Sequence, residues 1–314
     1  MSQHWAAISE AGAVSGMRFM VWVNKYLGRF VFSVILVPVM VYYFLLRRTP
    51  RRASMDFLRR VSSQYPEIFG QRPLALLSFR HFLAFGHSLL DKYLVWVEPP
   101  TTIAMRKENE EFLLGVVNSG RGCLILASHF GNLEYSRGLA YRHPDLVINV
   151  LLYDRHAMKF AELMQKSEPD SRHNLIQVTD LDIDVALQLK AKIDRGEWLV
   201  IAGDRIPLGE SGQVSHAQFF GDQAKFPIGP YVLANLLGCP VYLFHCFKQQ
   251  GEHYLVMEDF AERIRLERAD RQKSLNEWAQ QYATALERQV VQSPLQWFNF
   301  FDFWEDRPEE RETV

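Results

Sequence analysis

Residues 123–134 read Cys-Leu-Ile-Leu-Ala-Ser-His-Phe-Gly-Asn-Leu-Glu, and they decide the fold. Cys123 to Ala127 is an unbroken apolar run, the pattern of a short strand buried on both faces. The polar, glycine-containing stretch after it marks a strand-to-helix junction. Similar apolar runs recur at 146–153, 175–178 and 198–202. Between them lie helical patterns at 156–165 and 182–195, the second closed by Gly196. Pro227 to Leu237, closed by Gly238, reads as another helix. Two further strands, 241–247 and 254–260, flank the hairpin-like Lys-Gln-Gln-Gly-Glu-His. Ser274-x-x-Glu277 has the form of a capping box opening a last helix, with Leu275, Trp278, Ala279, Tyr282 and Leu286 on its buried face. Strands alternating with helices predict an α/β fold: a mixed, mostly parallel sheet flanked by helices.

Upstream, residues 53–115 carry helical spacing, broken by Gly70 and Pro73 and ended by Pro99-Pro100, with a short helix expected from Glu108 to Val117. Before them, Phe30 to Leu46 is a run of 17 uncharged residues. As a helix it spans about 25 Å, against a hydrocarbon core of about 30 Å. Met17 to Gly28 is also apolar apart from Arg18 and Lys25. Pro38 is expected to kink the segment. Arg47, Arg48, Arg51 and Arg52 follow directly, which predicts a membrane helix, spanning or lying in the interface, with the main part of the chain on the cytoplasmic side; a buried core helix is the alternative reading.

The 314 residues include 35 Lys+Arg and 36 Asp+Glu, a formal net charge of -1, which argues against a generally basic nucleic-acid binder. With 48% hydrophobic and 23% charged residues, global disorder is excluded. Cys123, Cys239 and Cys246 form no disulfide framework and no C-x-x-C pair. The 22 Phe, 12 Tyr and 7 Trp point to contact with lipid or another apolar ligand. No Walker A, G-x-G-x-x-G, H-E-x-x-H or paired-Cys motif is present, so no cofactor and no metal are expected.

His129 stands just past the first buried strand, with Glu134 five residues on. Histidine suits general-base work near neutral pH, and a carboxylate on its other ring nitrogen fixes the tautomer. Gly131 lets the chain turn between them, and the following helix offers free N–H groups for an oxyanion. The same spacing also suits a His capping the helix and a Glu in a surface ion pair. Ser128 lacks a G-x-S-x-G elbow, Cys123 lies in a buried strand, and His245 reads as a core histidine with its hydrogen bonds satisfied.

The string from His129 to Glu134 resembles the signature of the bacterial lipid A secondary acyltransferases, within the wider His-x₄-Asp/Glu glycerolipid acyltransferase group. The resemblance extends to Tyr153-Asp154-Arg155, Gly203-Asp204-Arg205, Phe219-Phe220-Gly221, Pro227-x-Gly229-Pro230 and Pro294-x-Gln296-Trp297-Phe298. It implies an N-terminal membrane-anchor segment, 1–52, and an acyltransferase domain, 53–314, at the cytoplasmic side of a bacterial inner membrane. It further implies acyl carrier protein, or CoA, as thioester donor and a lipid hydroxyl as acceptor. His129 would take the hydroxyl proton and Glu134 would hold His129. Arg155 and Arg205 would bind phosphates or steady the oxyanion, and Asn132 and Asp204 would contact substrate. Phe219 and Phe220, with Phe226 and Tyr231, would line an apolar groove. Leu133 departs from the family's Trp and Arg205 from its Gln. Phe300-Phe301-Asp302-Phe303-Trp304 replaces a basic ending, which argues for a less anionic acceptor than lipid A. A non-catalytic lipid-binding homologue and a hydrolase of acyl thioesters or phospholipids are the alternatives.

Overall fold

The computed structural model describes residues 11–97, 105–152, 173–177, 183–206 and 214–304. In chain order the strands are β1 (Met105–Glu108), β2 (Cys123–Ala127), β3 (Ile148–Leu152), β4 (His173–Gln177), β5 (Trp198–Ala202), β6 (Val214–Phe219), β7 (Asp222–Pro227), β8 (Val241–Gln249) and β9 (Glu252–Ala261). Seven of them form one sheet in the order β1-β9-β8-β2-β5-β3-β4. Every neighbouring pair is parallel except the β8–β9 hairpin, as the alternation of strands and helices predicts.

The two central strands explain their own composition. Leu124 and Leu126 of β2 and Leu199 and Ile201 of β5 pack on one face of the sheet, under the helices Ile183–Asp194, Gly229–Leu237 and Arg271–Val290. Cys123, Ile125, Ala127, Trp198 and Val200 pack on the other, against Leu113, Val116, Leu139 and Ala140 from Glu110–Asn118 and Arg137–Arg142. Helices on both faces leave no place for polar alternation.

Several expectations need correction. The helix expected from Glu108 begins at Glu110, because 105–108 is strand β1. Its sequence, Met-Arg-Lys-Glu, is charged because β1 is an edge strand, where charge deters further pairing. Residues 214–227 form the separate β6–β7 hairpin, and the helix after it starts at Gly229. Phe220 (φ 50°) and Gly221 (φ 80°) make its two-residue turn, which needs positive φ at both positions. The last helix starts at Arg271, not at a Ser274 cap; the Ser274 hydroxyl donates back to the Asp270 carbonyl inside the first turn. The helix expected at 156–165 lies outside the described residues.

At the N-terminus, α1 (Ala11–Leu46), α2 (Arg48–Gln64), α3 (Pro66–Phe69) and α4 (Leu74–Val97) follow one another. The break in α1 lies at Gly28, where φ is 84°, rather than at Pro38. Val23, Phe32, Leu36 and Met40 pack against Phe82 and Leu90 of α4. The helices approach closely at Gly86, where a Cβ would come within 2.8 Å of the Leu36 side chain. Arg29 pairs with Asp91 at 2.7 Å across this contact. The other side of α1 presents Phe30, Val34, Val37, Val41 and Leu45 outward. Phe19–Leu46, of mean hydropathy 2.1, is the one helix among the described residues long and apolar enough to cross a membrane.

Candidate active site

β2 and β5 run parallel with Cys123 beside Trp198 and Ala127 beside Ala202. The Gly203 N–H extends the ladder by donating to the Ala127 carbonyl at 2.9 Å. His129 and Asp204 therefore each stand two residues beyond the carboxyl end of neighbouring parallel strands, a recurrent ligand position in open α/β sheets. The His129 Nδ1 lies 2.7 Å from Asp204 Oδ1, and the His129 backbone N–H donates to Oδ2 at 2.8 Å. Oδ2 also accepts from the Trp297 indole N–H at 3.0 Å and from Asn299 Nδ2 at 3.2 Å.

Asp204 is fully buried, and these four contacts are what permit a carboxylate there. Burial raises its pKa, but the facing His129, their hydrogen bond and the nearby Arg205 outweigh that, and the net shift is downward. An ionised carboxylate only accepts, so Nδ1 carries the ring proton and donates it. Nε2 is then a lone pair, and it has no hydrogen-bond partner among the described residues. The His129 side chain is 31% exposed. Burial lowers the His129 pKa, Arg205 and then Lys92 of α4 push the same way, and Asp204 opposes them without reversing the direction. The ring is thus neutral near pH 7 and able to accept a proton.

The backbone around His129 is held as firmly as its ring. Its carbonyl accepts from the Phe298 N–H at 3.0 Å, and Phe130 bridges to Trp297. Gly131 (φ 73°) lies against β8 so closely that a Cβ would sit 1.9 Å from the Cys246 carbonyl oxygen. Gly203 likewise makes room for the ring of Tyr282, whose hydroxyl donates to the Ala127 carbonyl at 2.8 Å. Arg205 ties down the C-terminal strap, donating to Asn299 Oδ1 at 2.7 Å and to the Phe298 carbonyl at 2.6 Å.

This geometry corrects the expected pairing. The carboxylate on Nδ1 is Asp204, not Glu134. A separation of five residues closes to bonding distance only if the chain coils between them. Here Gly131 N–H and Asn132 N–H are drawn to the Gln296 and Cys246 carbonyls, so the segment is held against the strap and β8 as far as Asn132 and does not coil. Glu134 enters a short 3₁₀ turn, Leu133–Ser136, whose cap is Asn132: its Oδ1 accepts from Glu134 N–H. The charge of Glu134 acts on Lys92, whose pKa is lowered by burial and supported by that carboxylate. The N–H groups of Gly131, Asn132, Glu134 and Tyr135 are all engaged, so they do not supply the free oxyanion donors expected there.

Other expected substrate contacts move as well. Asp204 is buried behind His129, and Asn132, 5% exposed, serves the turn. Phe219, Phe220, Phe226 and Tyr231 are core, not groove wall. Phe219 lies 5.3 Å from the Trp297 ring and Phe220 5.5 Å from Phe57, because the hairpin folds them inward behind Trp297. Of the ending at 300–304, Phe303 and Trp304 join the same core, Phe300 and Phe301 are half-buried and Asp302 is exposed. Arg155 lies outside the described residues. In the sequence Trp297 stands only as part of the Gln296-Trp297-Phe298 block, with no role attached; Asn299 is marked only by its aromatic neighbours, and Lys92 by nothing. Burial pushes the thiols of Cys123, Cys239 and Cys246 upward, as for inert core cysteines. Among the described residues, no cluster of His, Cys, Asp or Glu is placed to hold a metal.

A family model for bacterial lipid A biosynthesis acyltransferases matches residues 77–305. The chain belongs to this family. The match begins within α4 and ends just past Trp304, so it takes in Lys92, His129, Asp204 and the strap at 297–299. It leaves out α1 and α2. None of the curated proteins matches the chain. Membership makes the chain an acyltransferase of lipid A type in general terms and agrees with a lipid acceptor. With a helix such as α1, it also points to association with a membrane.

Proposed function

We propose that this acyltransferase moves a fatty acyl chain from a thioester, on acyl carrier protein or CoA, to a hydroxyl of a membrane lipid. His129 is the general base and Asp204 its orienting carboxylate. The lipid hydroxyl donates its proton to His129 Nε2 as its oxygen bonds to the thioester carbonyl carbon. The tetrahedral oxyanion forms in the field of Arg205 and Lys92. Its collapse breaks the C–S bond, and the leaving thiolate takes the proton back from Nε2. Asp204 stays ionised and stabilises the transient imidazolium. No covalent acyl-enzyme is needed.

The observation that carries this reading is the bond at Nδ1, which leaves Nε2 as the proton acceptor. The catalytic domain is assigned to the cytoplasmic side of a bacterial inner membrane, where acyl thioesters are available and where Arg47, Arg48, Arg51 and Arg52 would meet anionic headgroups. Lipid mass spectrometry of source cells with and without the gene tests it. One lipid class should gain the mass of one acyl chain, and His129→Ala should lack that gain. Identical lipid profiles in all three strains would contradict the proposal.

A further inference from the structure

A fully buried histidine, His81, lies behind the site. Ser78 Oγ donates to Ser54 Oγ at 2.8 Å, and Ser54 Oγ lies 3.0 Å from His81 Nδ1. His81 Nε2 lies 3.0 Å from the Trp297 carbonyl oxygen. Ser54, Ser78, His81 and Trp297 are fully buried. The direction of every bond follows from chemistry. A carbonyl only accepts, so Nε2 carries the proton. Burial pushes the His81 pKa down to about 3, so the ring is neutral and Nδ1 accepts from Ser54, which in turn accepts from Ser78.

The carbonyl gripped by His81 belongs to the turn that serves the dyad. The Asn299 N–H donates to the same Trp297 oxygen at 3.0 Å. The side chains of Trp297 and Asn299 both donate to Asp204 Oδ2, and the Phe298 N–H holds the His129 carbonyl. Every link from this turn to the dyad thus hangs from a segment that His81 fixes to α4.

Apart from the Ser54 hydroxyl and the Trp297 carbonyl, the surroundings of His81 are aromatic. Its ring lies 4.5 Å from Phe300, 5.9 Å from Phe57 and 6.0 Å from Phe298. A phenyl group would fill the same space but would leave the Ser54 hydroxyl and the Trp297 carbonyl without this partner. We infer that His81 is a positioning residue for acyl transfer: through the Trp297 carbonyl it fixes the turn whose indole and amide N–H groups hold the Asp204 carboxylate that orients His129. This rests on the reading of His129 as the base.

The test compares His81→Gln, His81→Asn and His81→Phe in the full chain. Each is reconstituted in vesicles of the source cell's lipid extract, with lauroyl-acyl carrier protein as donor and thiol release as readout. A Gln amide reaches about as far as Nε2 and can still donate to the Trp297 carbonyl; an Asn amide stops near Nδ1 and cannot. His81→Asn and His81→Phe should lower kcat by about 10- to 100-fold, the order expected when a catalytic group drifts by up to about an ångström. KM for the donor should stay within about twofold, since no substrate contact changes. The acid limb of their kcat profile should move to higher pH, because an Asp204 with weaker donors draws more strongly on His129. His81→Gln should recover most of kcat and the parental limb.

A structural role alone would instead lower Tm for Gln and Asn alike and leave the limb unmoved per folded molecule. That outcome, or a folded His81→Phe with parental kcat and pH profile, overturns the inference. If His81→Phe does not fold, the Gln and Asn pair decides alone. His129→Ala is assayed alongside: turnover surviving there overturns the base reading, whereas turnover lost there with every His81 variant unchanged overturns only the role of His81.

Discussion

His129 and Asp204 are 75 residues apart in the chain and 2.7 Å apart in space, because each sits two residues past the end of β2 or β5. The parallel register of two buried strands, rather than the short spacing of a linear motif, creates the pair. Trp297 and Asn299 then close around the carboxylate from the C-terminal strap.

Arg205 lowers the His129 pKa and also holds the strap through Asn299 and the Phe298 carbonyl. His129 must be unprotonated to act, so activity rises with pH through its pKa. Removing a cation that depresses this pKa moves the acid limb of the kcat profile upward. Arg205→Ala should show that upward shift together with a loss of about 10²-fold, the order for one charge-stabilising group. A pH series of initial rates checks both, and an unmoved limb would separate Arg205 from His129.

Gly131 has no room for a side chain. A Cβ there would meet the Cys246 carbonyl at 1.9 Å, and φ is 73°. Gly131→Ala must push the segment off β8 or abandon the left-handed conformation, so it should cost several kcal/mol, on the order of other strained backbone positions. Chemical unfolding measures the loss, and activity should fall with it because His129 is two residues away.

His245 is buried on β8, but contrary to expectation neither ring nitrogen has a hydrogen-bond partner among the described residues, and burial pushes its pKa down to about 4. In the unfolded chain it titrates near 6.5. The folded protein therefore loses stability as the pH falls from about 6.5 towards 4, where the unfolded state binds the extra proton. His245→Leu removes that proton linkage and an unsatisfied buried group worth about 1–3 kcal/mol. Its Tm should equal or exceed the parent's at pH 7, and its advantage should widen towards pH 5.

The outward row of α1, with Phe30 81% exposed, is not covered by any of the described residues. The full chain should sediment with membranes and need detergent, not salt alone, for release. Substituting Phe30, Val34, Val37 and Val41 together by Gln should free it into the salt wash, because those residues do not form the packed stripe of Phe32, Leu36 and Met40. Recovery of the parent in the soluble fraction at low salt would count against membrane attachment through α1.

The sheet was readable where burial leaves one answer. The bounds of β2 and β5 follow from continuous apolar runs because both faces are covered. The β6–β7 hairpin was hidden: its inward positions include Ser215 and Ala217, too small and polar to mark a strand, so only the aromatic Phe219 and Phe220 stood out. Edge strand β1 carries charge and so resembles the start of a helix. At the site, His129 was legible from its place after a buried strand. The role of Asp204 was not, since it depends on which strand lies next to β2. The grip of Trp297 depends on a chain reversal after Gln296 that no local pattern announces.

The most direct measurement is acyl transfer by Asp204→Asn beside Glu134→Gln, in the full chain and scored by lipid mass spectrometry. An Asn side chain keeps the shape of Asp204 but offers His129 no carboxylate and presents the wrong tautomer. Transfer by Asp204→Asn should fall by about 10³-fold or more with little change in Tm, while Glu134→Gln, which acts through Lys92, should lose far less. Transfer by Asp204→Asn above about a tenth of the parent, with Glu134→Gln inactive, would contradict the account and return the orienting role to Glu134.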